Sequence, residues 1–420
     1  MLLLGKLWRG VSRGAAVLAA CVALAGPASE SKAQFGMDFG GLMNQDPLTK
    51  RGLQGYAKLL ELDKEQLEAA TVLMDGTTSA HRAAMKQFQE KMQEMQAKAQ
   101  EDGDWSVFQK EMPAIAEELQ TKTHGLETQF FADLKALCSE KQLAAWDRVE
   151  RYRRRETGMR YQLVSGSAVD LIAITERSKL NPGTREFDDA ILAYEEAIDR
   201  PLVALQKYQD EQNKNQKEAM KKLQENPMGY MEEIKKMLNE AADIAKTMRT
   251  VNREHARRMS DLLPESSRGV FAAEINRKFF PRIYRDAYAG KVLNAALKMT
   301  DLTSDQKREL EALKASYEQD KSPLDDKWAK AQEEYEDKNG GTVGIMMTSW
   351  QGGGEGKEAV TEARQARRDL DSKTVDAAKA ILSEAQRGNL PEKKPDPMGQ
   401  FADFMPDPDE VGEGLDVGTP

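Results

Sequence analysis

The chain has 420 residues, with 61 Lys and Arg against 70 Asp and Glu, and a formal net charge of −9. Hydrophobic residues make up 40% and charged residues 31%, with a mean hydropathy of −0.67, which excludes a multi-spanning membrane protein. Aromatic residues at 6% are sparse for the core of a large enzyme, and the acidic balance disfavours general nucleic-acid binding. Twenty Met beside many Ala, Glu, Gln, Lys and Leu favour helix.

Residues 1–33 read as an export signal. Lys6, Arg9 and Arg13 form a positive leader, Gly14 to Ala25 is apolar and short, and Ser31-Lys32-Ala33 places small residues where a signal peptidase cuts. The mature chain is expected to start at Gln34, in the periplasm or cell envelope. Leu18-Ala19-Ala20-Cys21 also resembles a bacterial lipoprotein box; membrane attachment is expected only if Cys21 is lipidated. Cys138 is then the single mature Cys, so packing rather than an internal disulfide must supply stability. Residues 34–55 are expected to be a flexible segment, carrying Phe35, Met37, Phe39, Leu42 and Met43.

From 56 to 390 the apolar period is helical. Met74, His81, Met85, Phe88, Met92 and Met95 recur at steps of three, four or seven, and Ile115, Leu119, Leu126, Phe130, Leu134 and Leu137 form a return path. A second stripe runs from Ile234 through Met248 and His255 to Leu262, roughly 43 Å of helix. Amphipathic stretches from Trp146 to Arg160 and from Phe271 to Tyr284 read as connecting helices. Residues 391–420 hold eight acidic residues and six Pro, so a disordered tail is expected there, with Phe401, Phe404 and Met405 inside it.

One short motif recurs. Leu302-Thr303-Ser304-Asp305-Gln306 reads LTxxQ, with variants at Leu62-Asp63-Lys64-Glu65-Gln66, Cys138-Ser139-Glu140-Lys141-Gln142 and Leu382-Ser383-Glu384-Ala385-Gln386. A hydroxyl or carboxylate followed three residues later by Gln is a capping box, so Asp63, Ser139, Thr303 and Ser383 are expected to start helices with Gln66, Gln142, Gln306 and Gln386. Weaker copies are Leu180-Asn181-Pro182-Gly183-Thr184 and Leu263-Pro264-Glu265-Ser266-Ser267; Asn181 before Pro182 reads as another helix start. Gln66, Thr184 and Gln306 are 118 and 122 residues apart, and Gln142, Ser267 and Gln386 are 125 and 119 apart. The regularity predicts three tandem units: 56–160, 161–283 and 284–390. The expected fold is all-α and elongated, made of three long antiparallel coiled-coil-like hairpins with connecting helices.

With these motifs in place, the chain resembles the Spy/CpxP family of bacterial periplasmic proteins. The resemblance rests on the export signal, the paired LTxxQ-like motifs and the long amphipathic helices between them, and covers 56 to 390 in pattern. It implies ATP-independent chaperoning of unfolded envelope proteins, or an adaptor or stress-sensing role, on a cradle-shaped dimer. Three units in one chain and a long acidic tail set this sequence apart from that pattern.

Candidate chemistry is thin, and no catalytic, cofactor or metal site is expected. Gly352-Gly353-Gly354-Glu355-Gly356-Lys357 lacks the spacing and hydroxyl residue of a phosphate loop. His81, Met85, Met92 and Met95 share a helical face that could take Cu(I), or form a Met-rich seam around Phe88. Arg148, Arg151, Arg153, Arg154, Arg155 and Arg160 are expected to pair with acidic helices, or alternatively to meet an acidic partner or anionic lipid.

The hairpin turns carry large apolar groups where turns are usually polar. They are Trp105, Phe108 and Met112; Met228, Tyr230 and Met231; and Met346, Met347 and Trp350 in a Gly-rich loop whose Gly340, Gly341 and Gly352 to Gly354 would let it move. These either tuck onto their own hairpins or bind a partner. The expected function is a non-enzymatic envelope protein that binds unfolded or partner proteins. The rivals are a coiled-coil scaffold forming homo-oligomers and a copper-binding stress protein.

Overall fold

The computed structural model describes residues 48–393, except 105, 161 and 350–352. The expected export signal, Cys21, the segment 34–47, Trp105, Trp350 and the tail from 394 onward lie outside the described residues. The fold is all-α, with no strand among the described residues. In chain order the helices are α1 (Lys50–Leu60), α2 (Lys64–Asp102), α3 (Ser106–Ala136), α4 (Glu140–Leu143) and α5 (Trp146–Gly158). They continue with α6 (Leu171–Arg177), α7 (Arg185–Glu225), α8 (Pro227–Leu262), α9 (Glu265–Phe279) and α10 (Tyr288–Leu297). The last four are α11 (Ser304–Lys338), α12 (Gly341–Ser349), α13 (Lys357–Ile381) and α14 (Glu384–Arg387). The chain divides into two compact units: Met1–Thr157 with Gln209–Glu232, and Gly158–Tyr208 with Glu233–Pro420.

In the first unit, α1 begins within the segment expected to be flexible. Thr49 Oγ1 accepts from Gly52 N at 2.9 Å, which satisfies an orphan amide at the helix start. Leu48, Leu53, Tyr56 and Leu60 are then buried against Ala70, Met74, Phe130, Phe131, Leu134 and Val149. Each such side chain stabilises the fold by about 1.5–3 kcal/mol. Tyr56 sets its ring edge-on to Phe131 and to Tyr152, both at 5.3 Å, and its hydroxyl donates to Glu156 Oε2 at 3.0 Å. α1 sits close to α5: a Cβ on Gly52 would lie 2.6 Å from the Glu156 carboxylate, and one on Gly55 2.4 Å from the Tyr152 ring. α2 is 39 residues long, about 58 Å. It runs antiparallel to α3, as Lys122–Gln87 at 3.2 Å, Lys91–Glu118 and Gln66–Leu137 at 2.7 Å fix in turn.

The second unit holds two large apolar clusters and a small one of Val164, Ala242 and Ala245 among the described residues. Phe187, Tyr194, Ile198 and Leu202 of α7 pack with Met248 and Met259 of α8 and with Phe271 and Phe279 of α9. Ala329 and Trp328 of α11 join this cluster. α11 thus lays apolar side chains into the core built by α7, α8 and α9. The second cluster joins Val292 and Leu293 of α10 to Leu310 and Tyr317 of α11 and Val375 and Ala378 of α13. α11 and α13 are antiparallel: Lys327 meets Glu362 at 2.8 Å, Arg367 Nε meets Asp325 at 2.7 Å, and Tyr317 Oη meets Asp371 at 2.8 Å. α7 and α8 are also antiparallel where described, with Tyr194 Oη 2.9 Å from Asn252 Oδ1 and Tyr208 Oη donating to Met237 O at 2.8 Å.

Candidate functional site

The recurring motif builds the most regular polar geometry in the molecule. Asp63, Ser139, Thr303 and Ser383 each accept from the backbone N–H three residues on, and the Gln there accepts from the cap N–H, so all four are closed capping boxes. A further contact lies beyond what the motif predicts. In the first unit Gln66 Nε2 donates to Gln142 Oε1 at 3.0 Å, and Gln142 Nε2 donates back to Gln66 Oε1 at 2.8 Å. The same two amides also reach Leu137 O and Glu61 O. In the second unit Gln306 and Gln386 pair at 3.0 and 3.5 Å, and reach Ile381 O and Asp301 O. Each pair thus clasps the base of a long antiparallel helix pair across 76 or 80 residues of chain.

The weaker copies build no clasp. Asn181 does not cap α7: its Oδ1 accepts from Gly183 N at 2.8 Å in a local turn, and Gly183 takes φ +71°. The helix starts at Arg185, with Thr184 Oγ1 near Phe187 N at 3.4 Å. Pro182 therefore stands in the turn rather than at the first helical position. Pro264 precedes α9 with no side-chain cap.

A buried polar hub surrounds the segment 162–171 of the second unit. Ser165 N donates to Glu336 Oε2 and Ser165 Oγ to Oε1, both at 2.7 Å. Thr342 N donates to Leu163 O at 2.8 Å. Asn252 Nδ2 donates to Gly166 O at 2.8 Å, Tyr194 Oη to Val169 O at 3.0 Å and Gln162 Nε2 to Lys278 O at 2.8 Å. A connecting segment can be buried only if its peptide groups are satisfied, and side chains from α7, α8 and α11 satisfy them here. Beside the hub, Arg249 Nη2 meets both Asp337 oxygens at 2.9 Å, and Arg253 forks onto Glu333.

Of the nine turn residues expected to meet partners, Phe108 and Met112 are the two whose side chains fall among the described residues. Phe108 and Met112 are half-buried at the start of α3, after Gly103 ends α2 at φ +65°. Met228, Tyr230 and Met231 fall in the first turns of α8, and Met346 and Met347 in α12; their side chains lie outside the described residues. Trp105 and Trp350 lie outside entirely. The third turn differs from the mobile loop expected. It forms the helix α12, and its glycines permit close packing: a Cβ on Gly341 would lie 2.3 Å from Leu163 O, and one on Gly354 1.7 Å from Asn339 Oδ1. Ile345 is buried, and Asn339 Nδ2 ties Tyr335 O to Glu355 O at 2.7 and 3.0 Å.

The Met-rich face of α2 is a packed seam, with His81, Met85, Phe88 and Met95 all buried. Among the described residues no three His, Cys, Asp or Glu side chains converge as a metal site, and no helix is long and apolar enough to cross a membrane. In the basic cluster Arg153 pairs with Glu127 at 2.9 Å and stacks 4.2 Å over the Phe131 ring, while Arg155 lies 5.3 Å over the Tyr152 ring. A shallow groove of about 520 Å³ opens along α2 and α3 between Ala80, Ala83, Ala84, Lys122, Gly125 and Leu126. No protein-family model, curated protein or solved structure matches this chain.

Proposed function

We propose that this chain is an exported, non-enzymatic envelope protein that binds unfolded or partner proteins without ATP, in the manner of the LTxxQ family it resembles. The observation that supports the reading best is the pairing of the LTxxQ-like motifs at the two ends of a helix pair. The glutamine clasps tie the bases of the α2–α3 and α11–α13 pairs, so each motif works with its counterpart 76 or 80 residues away. A clasped base fixes one end of a helix pair and leaves its length and tip to meet a client. The open apolar groove on α2–α3, with Phe108 and Met112 toward its tip, supplies surface of the adaptable kind that binders of many sequences use. The export signal read in residues 1–33 supports a periplasmic or cell-envelope setting for this activity.

The test is light scattering of a heat-aggregating protein with and without the purified mature chain, no ATP added. Suppression near equimolar chain is expected. Unchanged aggregation at a several-fold excess would overturn the chaperone reading.

A further inference from the structure

Glu336 is the least expected ionisable group of the second unit. It stands near the end of α11 on a helix otherwise rich in solvent-facing charge, yet only 3% of its surface is exposed. Its carboxyl holds the connecting segment directly: Ser165 N lies 2.7 Å from Oε2, and Ser165 Oγ lies 2.7 Å from Oε1. Gln332 Nε2 completes the shell at 2.9 Å from Oε1. The same corner is closed by Thr342 N on Leu163 O.

The charged groups around it come from two helices. α8 presents Lys246, Arg249 and Arg253, and α11 itself presents Glu333 and Asp337. Neither 162–168 nor α12 contributes a titratable side chain among the described residues. Arg249 is the cation that faces Glu336, but its Nη2 is taken by Asp337 and its Nε lies 3.6 Å from Glu333. Among the described residues no cation lies within ion-pair distance of Glu336 itself. An ionised Glu336 would be a charge sealed from water, while the neighbouring guanidiniums of Arg249 and Arg253 are engaged by Asp337 and Glu333. Burial accordingly pushes this carboxyl above the usual carboxylate range, with the hydrogen bonds from Gln332 and Ser165 and the charge of Arg249 offsetting only part of that.

We propose that the Glu336–Ser165 contact is a pH-sensitive latch: the segment 162–168 is held on the α11–α12 corner while the Glu336 carboxyl carries a proton, and is released as that proton is lost at rising pH. In the protonated form Oε2 still accepts from Ser165 N, and the acid O–H donates to Ser165 Oγ, so both contacts survive. In the ionised form the contacts remain available, but the charge has no ion-pair partner of its own. Opening the corner hydrates that charge. Between the ordinary carboxylate pKa and the raised value in the closed corner, opening releases one proton, so its equilibrium constant grows by about tenfold per pH unit.

The test is amide hydrogen exchange over residues 162–168 in the full chain from pH 5 to pH 9, corrected for the intrinsic pH dependence of exchange. Protection at Ser165 is expected to fall toward tenfold per unit from the acid end of this range, which lies above the ordinary carboxylate pKa, and then to level. Glu336→Gln keeps the shape and both contacts without a charge, and should give a flat profile at the protected level. Ser165→Ala removes a donor that favours the carboxylate in the closed corner, so the fall should start unchanged and run to higher pH before levelling. If Glu336→Gln does not fold, the direction of the Ser165→Ala displacement decides alone. Parallel profiles in all three proteins, protection that rises with pH, or levelling at a lower pH in Ser165→Ala would overturn the latch.

Discussion

At the scale of single residues, Gln66, Gln142, Gln306 and Gln386 each perform two tasks. The side-chain oxygen closes a capping box, and the Nε2 donor crosses to the other box of the pair. Removing a cap hydroxyl leaves the crossing contact in place, so Thr303→Ala should cost about 1 kcal/mol. Removing the amide costs more. Gln306→Ala strips the cap acceptor, frees Ile381 O, and leaves the buried Gln386 amide short of a partner, for a total of about 2 kcal/mol. Calorimetric melting should show Gln306→Ala below Thr303→Ala. The double variant Gln306→Ala with Gln386→Ala should be milder than the sum, because each single change already breaks the shared contact. Strict additivity would mean that the amides do not couple. The capping half of this arrangement is legible in sequence, because cap and N3 lie three residues apart. The crossing half is not: the capping box already accounts for each Gln, and 76 or 80 residues separate the partners. Asn181-Pro182 misleads for a local reason, since Gly183 at φ +71° spends the Asn carboxamide on a turn before the helix begins. Glu336 and Asp325 escape detection too, because a charged residue on a polar helix reads as solvated until a third element covers it.

Among the elements, glycines mark two opposite situations. Gly341 opens the helix α12: it takes φ +73°, and its missing Cβ makes room for Leu163 O at 2.3 Å, where Thr342 N also docks. Gly341→Ala combines left-handed strain with a backbone clash and should cost more than 1 kcal/mol. Gly125 lies within α3 with nothing within 4 Å of a Cβ, so Gly125→Ala should stabilise by about 0.5–1 kcal/mol through helix propensity alone. Urea unfolding monitored by circular dichroism checks both signs. The Ala at 125 also narrows the groove, so a fall in client protection with a rise in stability would place the client there. Helix type and length are well specified by the apolar period of these elements. The docking of α12 is not, since a Gly-rich stretch reads as mobile unless the surface it must approach is known.

For the molecule as a whole, acidity and alkalinity act on different groups. Burial, together with Arg258, holds His255 below its ordinary pKa of 6.5, beside the Tyr194 ring at 5.6 Å. The unfolded chain therefore takes up this proton first, and stability falls as pH drops below about 6.5 toward the depressed folded value. Glu118, held down to about 2 by Lys122 and Lys91, loses its contribution at still lower pH, as the unfolded carboxylate protonates first. His255→Gln should flatten the melting temperature between pH 5 and pH 7, and leave the alkaline side unchanged. An identical acid slope in the variant would assign that slope to carboxylates instead.

The uneven distribution of the clasps has a mechanical consequence. A chain pulled by its ends loads each antiparallel pair at its base and peels it like a zipper, one contact after another. The α2–α3 and α11–α13 bases meet that load with a two-amide lock, whereas the α7–α8 base offers Phe187, Leu263 and Phe271 without one. Under tension from outside, the middle pair is expected to yield first, and in an optical trap the first extension step should stay at the same force in Gln66→Ala and Gln306→Ala. The later steps should fall in force. A chain built this way gives at its centre while its two clasped pairs remain shut.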